Sequence, residues 1–188
     1  MMKLLTYILS LTFMFFANAG FGQALEGKKT ITLHDGASER IVIGTAQFSA
    51  AGHGKTRFKI ELDDQKFGEY FLAMRPFKCV TGARQHMCHF PLTRVGDTFT
   101  ADDILPLEYA LMFMHKKPAM VSLNSRDGLY YQLTRTASGF TGRIADVDME
   151  PVIVPDSVPA AQRARPIRKA DLHVSDPSAY WLPFILIE

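Results

Sequence analysis

The sequence predicts a mostly β protein, all-β or β-rich α+β, in which an antiparallel meander forms a small barrel or sandwich with one short helix. Short β-branched and aromatic segments recur along the chain, separated by turn signals rich in Gly, Asp, Asn and Ser. Residues 56–62 alternate between apolar and charged side chains, the period of a half-buried strand. Helical periodicity is scarce, and closure of the sheet would protect the edges of its strands.

The first half of the chain contains the best hairpin. Residues 40–49 predict one strand, a Gly-rich turn follows, and residues 56–62 return with Phe58, Ile60 and Leu62 on one face. Further strands are predicted at 29–33, 69–80 and 86–92.

The second half predicts a short helix and another meander. Thr100 is a candidate helix cap, and Pro106 either ends that helix after about one turn or lies in its opening turn. Residues 107–114 are apolar at nearly every position, so periodicity leaves helix and buried strand both open. The meander is predicted to have strands at 119–124, 128–136 and 139–145.

The N-terminus has the three parts of a signal peptide, predicted at residues 1–19. Lys3 is the positive residue, Leu4 to Phe16 is an uncharged apolar run, and Ala17-Asn18-Ala19 is a small-x-small cleavage site. An alternative cleavage site follows Ala24. We expect no transmembrane segment in the mature chain and a periplasmic or secreted location.

The remaining chain is predicted to contain one β-rich domain at 28–149 and a Pro-rich strap at 150–166. Residues 167–188 are expected to pack on the domain, because large apolar side chains near the C-terminus would otherwise stay in water. The side chains expected to dock are Trp181, Phe184 and Ile185.

The net charge is too small to indicate a polyanionic partner. Lys and Arg number 21 and Asp and Glu number 19, which gives +2. Neither nucleic acid nor an anionic membrane surface is therefore predicted as a partner.

Cys79 and Cys88 are the two cysteines, and a turn signal at 81–83 lies between them. In an exported protein such a pair predicts a disulfide across a hairpin. Metal binding by the cysteines with His86 and His89 is the alternative, but the spacing fits no zinc signature. No metal or cofactor is predicted.

Five short motifs are distinctive: Phe71-Leu-Ala-Met-Arg-Pro-Phe-Lys-Cys79, Met87-Cys-His-Phe-Pro91, Leu107-Glu-Tyr109, Gly128-Leu-Tyr-Tyr131 and Trp181-Leu-Pro183. Together they resemble a group of exported proteins of Gram-negative bacteria that has no assigned activity. The resemblance implies export and membership of that group, and it implies no catalytic residue.

No linear catalytic motif is present, and no catalytic residue is predicted. The chain contains neither G-x-S-x-G nor H-E-x-x-H. A ligand site is predicted where polar side chains lie among the aromatic and methionine residues. An arginine there could bind an anionic group, and methionine and tyrosine side chains could form an apolar surface for the ligand. Its candidate residues are Arg75, Glu108, Met112, Tyr130 and Tyr131.

These observations favour an exported, non-enzymatic binding or envelope-accessory protein. Its partner would be an apolar small molecule held in the β scaffold, or another envelope protein. Two alternatives remain: an enzyme whose site is assembled from distant residues such as Glu108, His115 and Arg75, and a structural protein that uses its C-terminal arm for strand addition.

Overall fold

The computed structural model describes residues 25–72, 75–92, 96–150, 167 and 169–188. The predicted signal peptide and nearly all of the predicted strap lie outside these residues. The described part contains one α-helix, α1 (Leu105–Ala110), twelve strands, and short 3-10 helices at Lys169–Asp171 and Pro177–Ala179. The strands are β1 (Gly27–His34), β2 (Arg40–Ala50), β3 (Thr56–Leu62), β4 (Gly68–Leu72), β5 (Arg75–Thr81), β6 (His86–His89), β7 (Thr98–Phe99), β8 (Phe113–Lys116), β9 (Gly128–Arg135), β10 (Phe140–Val147), β11 (Leu172–Val174) and β12 (Phe184–Ile187).

All twelve strands belong to one antiparallel sheet, which confirms a β-rich fold with one short helix. The strand order is β4-β5-β6-β8-β9-β10-β12-β1-β2-β3-β7, and β11 pairs with β10 off this path. The sheet curls, because Val80 of β5 and Phe58 of β3, near its opposite ends, lie in the same apolar core. The described strands do not close into a barrel, since β4 and β7 at the two ends do not pair.

The C-terminal segment is a strand in the interior of the sheet. Strand β12 pairs with β1 on one side and with β10 on the other. Ile185 and Ile187 are fully buried in the core, while Phe184 and Leu186 face outward and are half-buried. Trp181, just before this strand, is 8% exposed and donates Nε1–H to Glu39 (2.7 Å).

Two strand predictions were wrong: one merged two strands, and the other fell on residues that form no strand. The single strand predicted at 69–80 is the antiparallel pair β4 and β5, in which Tyr70 lies opposite Phe77. The chain reverses direction between β4 and β5, but the segment is apolar throughout. Where both faces of a strand are apolar, period-two alternation does not indicate the position of a turn. Residues 119–124 form turns and bends, and the strand before β9 is β8.

The ambiguous stretch at 107–114 contains the end of a helix and the start of a strand. Pro106 lies in the first turn of α1, where its missing N–H needs no partner, and the strand β8 begins at Phe113. The prediction that Thr100 caps the helix was wrong, because Ile104 is the N-cap; Thr100 instead accepts from the backbone N–H of Asp103 (3.1 Å) in the turn before the helix. None of the described helices is long and apolar enough to cross a membrane.

The predicted disulfide between Cys79 and Cys88 is present. The two residues lie directly opposite each other on β5 and β6, with their Cα atoms 3.9 Å apart. Both are fully buried in a second apolar cluster on the outer face of the curled sheet. The disulfide therefore fixes the register of β5 and β6 within that cluster.

Candidate functional site

A cleft of about 630 Å³ opens where the sheet fails to close, and we call it the β3–β5 cleft. One wall is the apolar face of β3, and the other consists of residues on β5 and β6 together with the end of α1. Apolar surface predominates in its lining. The lining residues are Phe58, Ile60, Leu62, Asp64, Lys78, His89, Pro91, Leu92, Gly96, Asp97 and Ala110.

The wall on β3 arises from the alternation of its sequence. Phe58 is buried and packs against Phe99 of β7, with ring centroids 6.1 Å apart. Beyond Arg57, β3 has no further pairing with β7, so Ile60 and Leu62 remain half-buried and line the cleft. The strand thus places its apolar face partly in the core and partly in an accessible cavity.

An ion pair at the mouth of the cleft joins the two walls. The ammonium group of Lys78, on β5, donates to the carboxylate of Asp64 in the turn after β3. This hydrogen bond raises the pKa of Lys78 above its ordinary value. The Asp64 side chain is 77% exposed and that of Lys78 is 46% exposed, so the lysine lies deeper.

His89 lies on the wall of the cleft as a neutral imidazole. Its Nε2–H donates to the backbone carbonyl of Ala110 (2.8 Å), because a carbonyl oxygen can only accept. Burial, and to a smaller extent the charge of Lys78, lower the pKa of His89. Lys78 and His89 line the same cleft.

A second, more polar cavity of about 620 Å³ lies beside α1 and β9, and it contains Glu108 and Tyr130. The Glu108 carboxylate accepts from the Tyr130 hydroxyl with one oxygen and from the backbone N–H of Leu133 (2.8 Å) with the other. Strand β9 pairs with β8 only at Gly128 and Leu129. The backbone N–H of Leu133 lies beyond this pairing, and it donates to the carboxylate of Glu108 instead. Burial raises the pKa of Glu108.

Three of the five predicted ligand-site residues lie together. Glu108 accepts a hydrogen bond from the hydroxyl of Tyr130, and Met112 and Tyr130 belong to the outer apolar cluster. Tyr131 points to the opposite face, where its hydroxyl donates to the backbone carbonyl of Leu182 (2.7 Å). The side chain of Arg75 lies outside the described residues.

His115, which the enzyme alternative combined with Glu108, has different neighbours. Its ring packs edge-on against Tyr180, with centroids 5.6 Å apart, and burial lowers its pKa. Tyr180 in turn donates its hydroxyl to Asp146. Neither the β3–β5 cleft nor the cavity beside Glu108 contains His115 in its lining.

Sequence reasoning missed the β3–β5 cleft, although it identified one of its walls. The period-two pattern placed Phe58, Ile60 and Leu62 on one face but could not indicate that the face is shared between core and cavity. Lys78 and His89 were not predicted to lie beside β3, and His89 was considered only as a possible metal ligand. They reach the cleft from strands that are adjacent to β3 only through the curl of the sheet.

Among the described residues, no group of three or more His, Cys, Asp or Glu side chains is placed to hold a metal ion. Comparisons with protein-family models, with curated protein sequences and with solved structures find no match to this chain.

Proposed function

We propose that this protein is an exported, non-enzymatic binding protein that holds an apolar small molecule in the β3–β5 cleft. The observation that carries the proposal is the cleft itself, an apolar cavity of about 630 Å³ with few polar groups. Small-molecule sites typically have volumes of roughly 300–1,000 Å³ and mainly apolar walls with a few oriented polar side chains.

Export is supported by the signal-peptide features of residues 1–19 and by the resemblance to exported proteins of Gram-negative bacteria. A disulfide between Cys79 and Cys88 is in keeping with an oxidising compartment such as the periplasm or the extracellular space. A binding protein in that compartment would meet apolar molecules in transit between membranes.

A binding role also fits the hydrogen bonding of the polar groups near both cavities. His89 has one ring nitrogen engaged with Ala110, and both carboxylate oxygens of Glu108 are engaged with Tyr130 and Leu133. Groups used in this way stabilise their surroundings, whereas a general acid or base needs a substrate proton within hydrogen-bond reach.

The test uses 1-N-phenylnaphthylamine, a neutral probe whose fluorescence rises in an apolar site. We expect saturable binding by the oxidised full-length mature protein, and we expect Ile60→Trp to abolish most of it, because a larger side chain fills the cleft. Glu61→Trp is the matched control, since Glu61 is exposed on the other face of the same strand.

Circular dichroism would establish that both variants retain the wild-type sheet. No saturable binding by the wild type, or equal loss in both variants, would refute the proposal.

A further inference from the structure

The lining of the β3–β5 cleft also points to the kind of ligand. We infer that the ligand is a single-chain amphiphile with an anionic head group, and that the ammonium group of Lys78 binds this head in exchange for Asp64. This inference rests on the proposed function and adds the chemical class of the ligand to it.

The positive charge in the cleft comes from one residue. Of the described lining residues, Lys78 alone carries a permanent positive charge, since His89 is held neutral by burial. Lys78 lies in the interior of β5, where it is paired with Glu69 of β4 and precedes Cys79, which is paired with Cys88 of β6. The ammonium group is therefore attached to the cleft wall at a paired strand position, and its flexible stem lets it reach a ligand in the cleft.

Negative charges around the mouth lie farther out. Asp64 is largely exposed, and Asp97 is paired with Arg57 (3.3 Å) in an equally exposed bridge. Glu69, opposite Lys78 on β4, is exposed as well. These carboxylates keep much of their hydration, and exposed ion pairs of this type contribute little to stability.

Exchange of Asp64 for a ligand anion is favourable for a physical reason. When an apolar chain fills the cleft it removes water from the neighbourhood of Lys78, and charge-assisted hydrogen bonds are stronger in such surroundings. Asp64 regains full hydration in its turn when it is released. A neutral head can accept from the ammonium group but brings no opposite charge, so it gains less than an anionic head, and a cationic head is repelled.

The experiment measures displacement of 1-N-phenylnaphthylamine from the full mature protein by dodecanoate and by dodecan-1-ol at pH 8. Lys78→Met should weaken the binding of dodecanoate about tenfold, the effect expected for loss of one charge-assisted hydrogen bond. The same variant should leave dodecan-1-ol within about twofold of wild type, because the chain contacts remain.

Asp64→Asn provides the decisive second variant. If Asp64 competes with the ligand head, its loss of charge should strengthen dodecanoate binding by about threefold. If the ion pair only braces the cleft, both variants should weaken the binding of both ligands. Lys59→Met is the matched control, because Lys59 forms a similar exposed pair with Glu61 on the opposite face of β3.

A comparison of dodecanoate with dodecyl phosphate distinguishes two sources of the anionic head, a free fatty acid and a phosphate-bearing lipid. Tighter binding of dodecanoate or of dodecyl phosphate supports the inference and identifies the head group. Equal responses of dodecanoate and dodecan-1-ol to Lys78→Met, or weaker dodecanoate binding in Asp64→Asn, would overturn the head-group inference and leave the proposed function standing. Failure of the wild type to bind the neutral probe would overturn both.

Discussion

The position of β12 inside the sheet makes a specific prediction about Ile185. Strand β12 joins two parts of the sheet, β1-β2-β3-β7 on one side and β4-β5-β6-β8-β9-β10 on the other. Ile185 is fully buried between them and lies opposite Leu33 of β1 and Gly142 of β10. Ile185→Ala should therefore weaken the contact that unites the two parts.

The expected loss follows from the packing around this side chain. A Cβ atom built on Gly142 would lie only 2.7 Å from Cγ2 of Ile185, so the isoleucine packs directly over the glycine backbone. Because strands on both sides hold the backbone in place, the cavity left by alanine cannot collapse. Large-to-small core substitutions cost about 2–5 kcal/mol, and this site should lie near 3–4 kcal/mol.

Leu186→Ala is the matched control, because Leu186 is the next residue on the same strand but is half-buried on the outer face. Its loss should be about 1 kcal/mol, in proportion to the smaller apolar area that it buries. Urea unfolding of the oxidised protein, followed by far-UV circular dichroism, measures both. Equal losses in the two variants, or less than about 1 kcal/mol for Ile185→Ala, would refute this account of the core.

Three further predictions concern the disulfide, the buried carboxyl and the single tryptophan. Replacing Cys79 and Cys88 together by alanine should lower the free energy of unfolding by about 2–3 kcal/mol, the chain-entropy value for so short a loop, and an unchanged urea midpoint would contradict this. Because burial raises the pKa of Glu108 above 4.5, its contribution to stability is full below that pH and is lost as the pH rises through the folded-state pKa. Urea titrations from pH 4 to 8 should show a wild-type stability that falls relative to Glu108→Gln, and a relative rise would be inconsistent with the raised pKa. Gly82→Ala should shift the emission of Trp181 to the red, because the added Cβ would lie 2.5 Å from the indole ring; unchanged emission would show that the ring does not move.

Local sequence patterns predicted much of the secondary structure. The alternation at 56–62 identified β3, and the turn signals around 128–145 identified the hairpin of β9 and β10. The spacing of Cys79 and Cys88 around a Gly-containing turn predicted the disulfide. Each of these features depends on residues close in sequence, and short-range backbone preferences are sufficient to specify them.

The candidate sites show where local patterns stop being informative. Tyr130 and Tyr131 are neighbours in sequence and were both assigned to a ligand site, but consecutive residues of β9 face opposite clusters. Glu108 was predicted to belong to a ligand site, whereas its hydrogen bond from the backbone of Leu133 depends on how α1 packs against the edge of β9.

The sequence by itself determined that the chain is β-rich, that its two cysteines pair and which face of β3 is apolar. Only the tertiary structure decided that β12 lies between β1 and β10, and that β3 and β5 enclose a cleft. The physical reason is that period-two patterning specifies which side chains leave water but not which strand they pack against. That choice depends on the combined packing and hydrogen bonding of strands that are distant in sequence.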